Sequence, residues 1–256
     1  MKYCLTYLLL VFLCSTVLFT AAQTSAGRIL SYKKIKGGIA GKTSNGIFEI
    51  TTYAPQVIRV RVSNSNLFKP LPYAVVSAAV PTDDATINEV NTSIELSTSL
   101  ITVVLEKQPQ LRIVFKNKRG AVINEDVAGN GFGISYIGNR FSTYKKLQEG
   151  ERFVGMGEAL GPLDKRGTGI SLNNTDTYKY GDPRLNMYSS IPFYMGLHHG
   201  LQYGIFYNNS YPAFFNFGLS TPDFVSATFE GGDADYFFMY DESPSKIIEQ
   251  YTAITG

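Results

Sequence analysis

The chain has 256 residues and a formal net charge of +2, one unit of which sits on Lys2. That length holds one large β domain or two small ones, and near-neutrality excludes the strong field by which nucleic-acid and polyanion binders draw their partners. Tyr and Phe number 17 each beside 24 Gly and no Trp, a strand-rich composition, and one large domain is the simpler reading.

Residues 1–22 read MKYCLTYLLLVFLCSTVLFTAA: an early Lys, an uncharged apolar run, then small residues. The pattern fits a secretory signal cleaved after Ala22 or Ala26. A membrane anchor competes, because Leu5 to Ala22 nears the length that spans a bilayer. The small, polar end of the segment favours the signal, and bulky Leu13 argues against lipid attachment at Cys14. Both cysteines, Cys4 and Cys14, lie in this segment, so the mature chain would carry no thiol and no disulfide framework. The expected location is secreted or periplasmic, with no membrane attachment after signal removal.

Residues 23–43 form a polar lead-in with Lys33, Lys34 and Lys36, read as solvated surface. Residues 44–242 are then expected to form the domain proper. Ile47 to Tyr53 and Val57 to Ser63 predict a hairpin about Ala54-Pro55-Gln56, with Ile58, Val60 and Val62 on one face and Arg59 and Arg61 on a wet one. Tyr73 to Val80, Thr92 to Leu96, Leu100 to Leu105 and Leu111 to Phe115 repeat the design at the spacing of an antiparallel sandwich. Arg59 and Arg61 are read as keeping an exposed face soluble rather than as an anion clamp.

Gly129 to Gly133 is followed by strand-like spacing and reads as a turn, not a phosphate loop. From Gly150 to Gly218, short aromatic runs at Ile191 to Leu197, Tyr203 to Tyr207 and Ala213 to Phe217 alternate with Gly, Asn, Asp and Pro clusters, the punctuation of tight turns. His198, His199 and Gly200 fall between two such runs and predict a hairpin tip. These are the only histidines and no further thiol or imidazole is at hand, so neither a metal nor another cofactor is expected.

Glycoside hydrolysis needs two carboxylates flanking the scissile bond, and no pattern here selects two. Asp164, Asp176, Asp182, Asp233 and Asp235 sit in or beside turns, where capping and solvated roles are the default. At the C-terminus, Ser243 and Pro244 open a predicted helix over 243–256, with Ile247, Ile248, Tyr251 and Ile254 on one face and Gly256 at its end. That face requires a packing partner.

Seven segments in order, RFVGMGE (152–158), GPLDKRG (161–167), NTDTY (174–178), IPFYMGL (191–197), GIFYNNSY (204–211), EGGDADYFFMY (230–240) and SPSKIIEQYTAITG (243–256), resemble the N-terminal portion of the family 31 glycoside hydrolases, the α-glucosidase group. The resemblance implies an all-β, galactose mutarotase-like sandwich, followed in the family by a (β/α)8 barrel carrying the catalytic groups. Asp176 matches the aspartate of the NTD motif, which implies contact with substrate from a loop reaching over the active site. Val154 and Met156 depart mildly from the family's RFYGLGE. Gly256 falls where the family enters its barrel, so no catalytic residue can be assigned in this chain, and the helix is expected to connect to a barrel that these residues do not include. The implied partners are an α-linked oligosaccharide or glycoside and the barrel of the same enzyme, with no nucleic acid.

Two other readings compete. An autonomous carbohydrate-binding sandwich would offer exposed aromatics among Tyr178, Tyr180 and Tyr188 as a sugar platform. A mutarotase-like enzyme would need a His and a carboxylate paired in a concave site. Asn91, Asn173 and Asn208 each begin an N-x-S/T triplet, which matters only where export passes through a glycosylating compartment.

Overall fold

The computed structural model describes residues 23–68, 74–76, 80–82, 85–135, 139–174, 176 and 188–256. The expected signal at 1–22 lies outside them. So do residues 73 and 77–79 of the candidate strand Tyr73 to Val80, while 74–76 form a turn and bend.

Among the described residues the chain forms 19 strands in three antiparallel sheets, and one helix. An eight-stranded sheet runs β13 (Arg152–Gly155), β15 (Phe193–His198), β16 (Leu201–Tyr207), β19 (Ala234–Tyr240), β5 (Val57–Ser63), β4 (Gly46–Ala54), β3 (Gly38–Thr43), β2 (Ile29–Ile35). A six-stranded sheet runs β1 (Gln23–Ser25), β11 (Phe132–Ser135), β12 (Phe141–Lys146), β18 (Phe224–Phe229), β17 (Ala213–Phe217), β14 (Gly169–Leu172). The third has five strands: β10 (Val122–Glu125), β9 (Arg112–Asn117), β8 (Ile101–Glu106), β7 (Ser93–Ser97), β6 (Thr86–Val90).

One apolar core joins all three sheets, as alternation along each strand requires of a sandwich. Phe115 of β9 stacks on Phe238 of β19 with ring centroids 3.8 Å apart, and Phe217 of β17 meets Tyr194 of β15 edge-on at 5.2 Å. An isolated bridge between Asp126 and Lys145 ties the five- and six-stranded sheets together. At that seam Lys145 Nζ lies 2.5 Å from Asp126 Oδ1 and donates to the Tyr236 hydroxyl, all three side chains being buried. Burial pushes the Lys145 ammonium below its ordinary pKa.

Apart from Tyr73 to Val80, the predicted strands from Ile47 onward coincide with β4, β5, β7, β8, β9, β15, β16 and β17 to within one or two residues at most ends. The lead-in at 23–43 needs correction, since it supplies β1, β2 and β3. Its lysines obscured the pattern: β2 is an edge strand whose outward positions are exposed, and edge strands carry lysine to discourage further pairing.

The wet face assigned to Arg59 and Arg61 also needs correction, because β5 is covered on both sides. Helix α1 (Pro244–Thr255) packs on the outer face of the eight-stranded sheet. Tyr251 stacks on Phe193 at 4.5 Å, and Ile247 and Ile254 are buried. Gly204 of β16 permits this approach: a Cβ there would stand 2.7 Å from Ile247 Cγ2. Ser243 occupies the N-cap position but makes no side-chain cap; its hydroxyl pairs with Ser245. Gly256, at φ +100°, closes the helix by donating its N–H to Thr252 O, and only Ile248 of the predicted apolar face is exposed.

Beside the helix, Arg59 Nε and Nη2 donate to the two oxygens of Asp235 at 2.8 and 2.6 Å, its Nη1 reaches Tyr53, and its guanidinium lies over Phe237. Burial alone would lower the Arg59 pKa, but Asp235 more than offsets it and holds the guanidinium above its ordinary value. Asp233 and Asp235, taken from sequence as solvated turn residues, are therefore buried; Asp233 accepts a hydrogen bond from Ser63 Oγ at 2.6 Å.

Candidate functional site

The six-stranded sheet ends at β14, and from Leu172 the chain emerges at the rim of the sandwich. Asn173, Asn174 and Asp176 follow outside any helix or strand and are exposed. Thr175 and residues 177–187, and with them Tyr178, Tyr180 and Asp182, lie outside the described residues. Tyr188 on the returning side is exposed.

Below this segment the rim holds a cleft of about 370 Å³, bounded by Asn173 and Asn174, by Ser190 and Pro192, and by the turn Asn208 to Pro212 between β16 and β17. No Asp, Glu, His, Lys or Arg is among its described lining residues. The turn is braced from within. Asn209 Oδ1 accepts the Tyr211 N–H at 2.9 Å, while its Nδ2 donates to Gly231 O at 2.9 Å and Asp233 O at 3.2 Å. Asn208 is 2% exposed and donates Nδ2 to Asp235 Oδ2 at 3.0 Å, but its Oδ1 has no hydrogen-bond partner among the described residues.

The remaining residues weighed from sequence do not converge on the rim. His199 and Gly200, at φ 47° and 74°, form the two-residue tip between β15 and β16, the left-handed pair that such a hairpin favours. His198 is buried with Nε2 2.7 Å from Ile123 O, and burial lowers its pKa. Asp164 caps its own turn by accepting the N–H groups of Arg166 and Phe153. Glu151 is fully buried: Tyr203 donates to its Oε1 at 2.7 Å and Gln148 N to its Oε2 at 2.8 Å. Burial pushes the Glu151 carboxyl up to about 7, opposed in part by those two donors and by Arg166 nearby.

His198 and Glu151 flank Tyr203 inside the sandwich, so neither is open to a ligand as mutarotase chemistry would require. Among the described residues no three metal-ligating side chains gather. Sequence reading placed a turn between Tyr207 and Ala213 but not its place in the wall of a cleft. Its one signal is Tyr211 before Pro212, an aromatic set in a polar turn, but the Gly231 that supports it lies 20 residues away.

These features define an antiparallel β-sandwich whose chain is exposed to solvent at Asn173, Asn174 and Asp176, beside the cleft. The profile of the glycosyl hydrolase 31 N-terminal galactose mutarotase-like domain matches residues 47–216, and the chain belongs to that family. It is 31% identical to α-glucosidase 2 of Bacillus thermoamyloliquefaciens over 82% of this chain and 26% of that enzyme. It is 27% identical to the isomaltosyltransferase of Sporosarcina globispora, over 79% of this chain and 18% of that protein. A family 31 dextranase of Flavobacterium johnsoniae, solved with isomaltotriose, superposes with a TM-score of 0.82 at 26% identity, covering 91% of this chain and 28% of the dextranase. The chain thus spans about a quarter or less of the length of the curated relatives it matches.

Proposed function

We propose that this chain is the N-terminal, carbohydrate-associated domain of a secreted family 31 glycoside hydrolase acting on α-linked oligosaccharides or glycosides. Its task is to present the loop bearing Asp176 to substrate held by the catalytic barrel of the same enzyme. The observation that carries the reading is the match over residues 47–216, which brackets a rim segment whose motif aspartate is exposed. An exposed carboxylate can accept charge-assisted hydrogen bonds from sugar hydroxyls, which orients a substrate without taking part in bond cleavage. The cleft lining offers no carboxylate among the described residues, so cleavage is assigned to the barrel.

The test joins this domain to a family 31 barrel and compares the parent with Asp176→Ala. Loss of a hydrogen bond to a charged group is expected to lower kcat/KM by about tenfold to a hundredfold with no change in Tm. Unchanged kinetics would assign Asp176 to the local turn. Met1 to Ala22 is assigned to export, and N-terminal sequencing of the mature protein is expected to begin near Gln23; retention of Met1 on a membrane-bound product would favour an anchor.

A further inference from the structure

We infer that the cleft beside Asn208 to Pro212 is itself a binding site for one neutral glycosyl unit, formed by the sandwich without any contribution from Asp176. Its lining joins amides and hydroxyls (Asn173, Asn174, Ser190) to apolar surface from Phe206 and Pro192. Such a mixture suits a pyranose, which has hydroxyls at its edge and C–H groups on its faces. The described lining offers amides and hydroxyls rather than Asp, Glu, Lys, Arg or His side chains, which suits uncharged polar groups. At about 370 Å³ the cleft lies toward the small end of small-molecule sites.

Two observations point to an occupant. The first is Tyr211, which is 50% exposed while its ring rests on Gly231, where a Cβ would come within 2.6 Å of Tyr211 Cε1. One side of the ring is thus seated on backbone and the other is available, and the Asn209 hydrogen bonds fix the turn that carries it. An aromatic surface held in place before binding loses little freedom on contact. The second is Asn208, whose buried Oδ1 lacks a donor among the described residues although its Nδ2 is fixed on Asp235. Buried amide oxygens are nearly always satisfied, and a sugar hydroxyl entering the cleft, with a small adjustment of this side chain, would supply the missing donor.

The experiment titrates the full chain with maltotriose and with isomaltotriose, following backbone amide resonances residue by residue. The expected result is a saturable, millimolar-range response centred on Tyr211 and Asn173. Tyr211→Ala is expected to weaken it by about tenfold, and Tyr211→Phe, which keeps the ring, by less than about threefold. Gly231→Ala, which displaces the ring while leaving the tyrosine in place, is expected to weaken binding as Tyr211→Ala does. Absence of saturable shifts with both sugars, or full affinity in a folded Tyr211→Ala variant, would overturn the inference. Because it reads binding to this chain alone, its failure is distinguishable from failure of the Asp176 kinetics, which are measured in a barrel-bearing enzyme.

Discussion

The two faces of the eight-stranded sheet each bury a carboxylate, and they do so by opposite means. On the outer face, Asp235 accepts a bidentate pair of hydrogen bonds from Arg59, which also meets Tyr53 and Phe237. On the core face, Glu151 has only a tyrosine hydroxyl and a backbone N–H in direct contact, and its carboxyl is pushed up to about 7. A buried acid keeps its charge where a rigid cation is built against it and tends to keep its proton where only neutral donors are supplied. Asp176, by contrast with both, is exposed to solvent.

Removing the partner on the outer face should have the largest effect. Asp235→Ala strands the Arg59 guanidinium and the Asn208 amide in a covered layer and is expected to cost about 3 to 5 kcal/mol, read as a lower urea midpoint. A loss below about 1 kcal/mol would mean that this face is as wet as its alternating arginines suggest from sequence.

On the core face the effect depends on pH. The folded chain holds the Glu151 proton up to about 7, whereas the unfolded chain releases it near the ordinary 4.5. The associated stability is therefore complete below about 4.5, declines as pH rises to about 7 and is absent above that, a loss of roughly 3 kcal/mol. Glu151→Gln should remove this decline, so the parent-minus-variant difference in unfolding free energy between pH 4 and pH 8 isolates it from other carboxylates. A difference that stays flat across that range would show the carboxylate to be ionised in the fold.

The smallest effects distinguish a helix that belongs to the sandwich from one that awaits another domain. Ile247→Val, at a buried site against Gly204, should cost about 0.5 to 1.5 kcal/mol, and Ile248→Val, at an exposed site, close to nothing. Equal costs would mean that α1 does not dock on the sheet as described.

Alternation in β5 was legible because period two fixes which residues share a face: Ile58, Val60 and Val62 could be grouped on sight. What Arg59 meets on the opposite face was not legible, since its partners Asp235 and Phe237 lie on β19, which starts 171 residues after Ser63 closes the strand, at Ala234. The same limit applied at the rim. The NTD motif drew attention to Asp176, whereas the seat of Tyr211 depends on a glycine that no local pattern connects to it. Strand β2 was hidden for another reason: exposed lysines on an edge strand imitate a solvated leader.

Asn208 also opens an Asn-Asn-Ser triplet, and its side chain is closed in between Asp235 and the cleft. A glycan transferred to that nitrogen while the chain was still being synthesised would be a bulky branch where the finished sandwich has no room, and it would replace one of the N–H donors on which the site depends. The fold is thus incompatible with one of its own sequons. Production in a host that attaches glycans before folding is expected to divide the chain into an unmodified, native pool and a modified, misfolded one, and a bacterial host avoids that division.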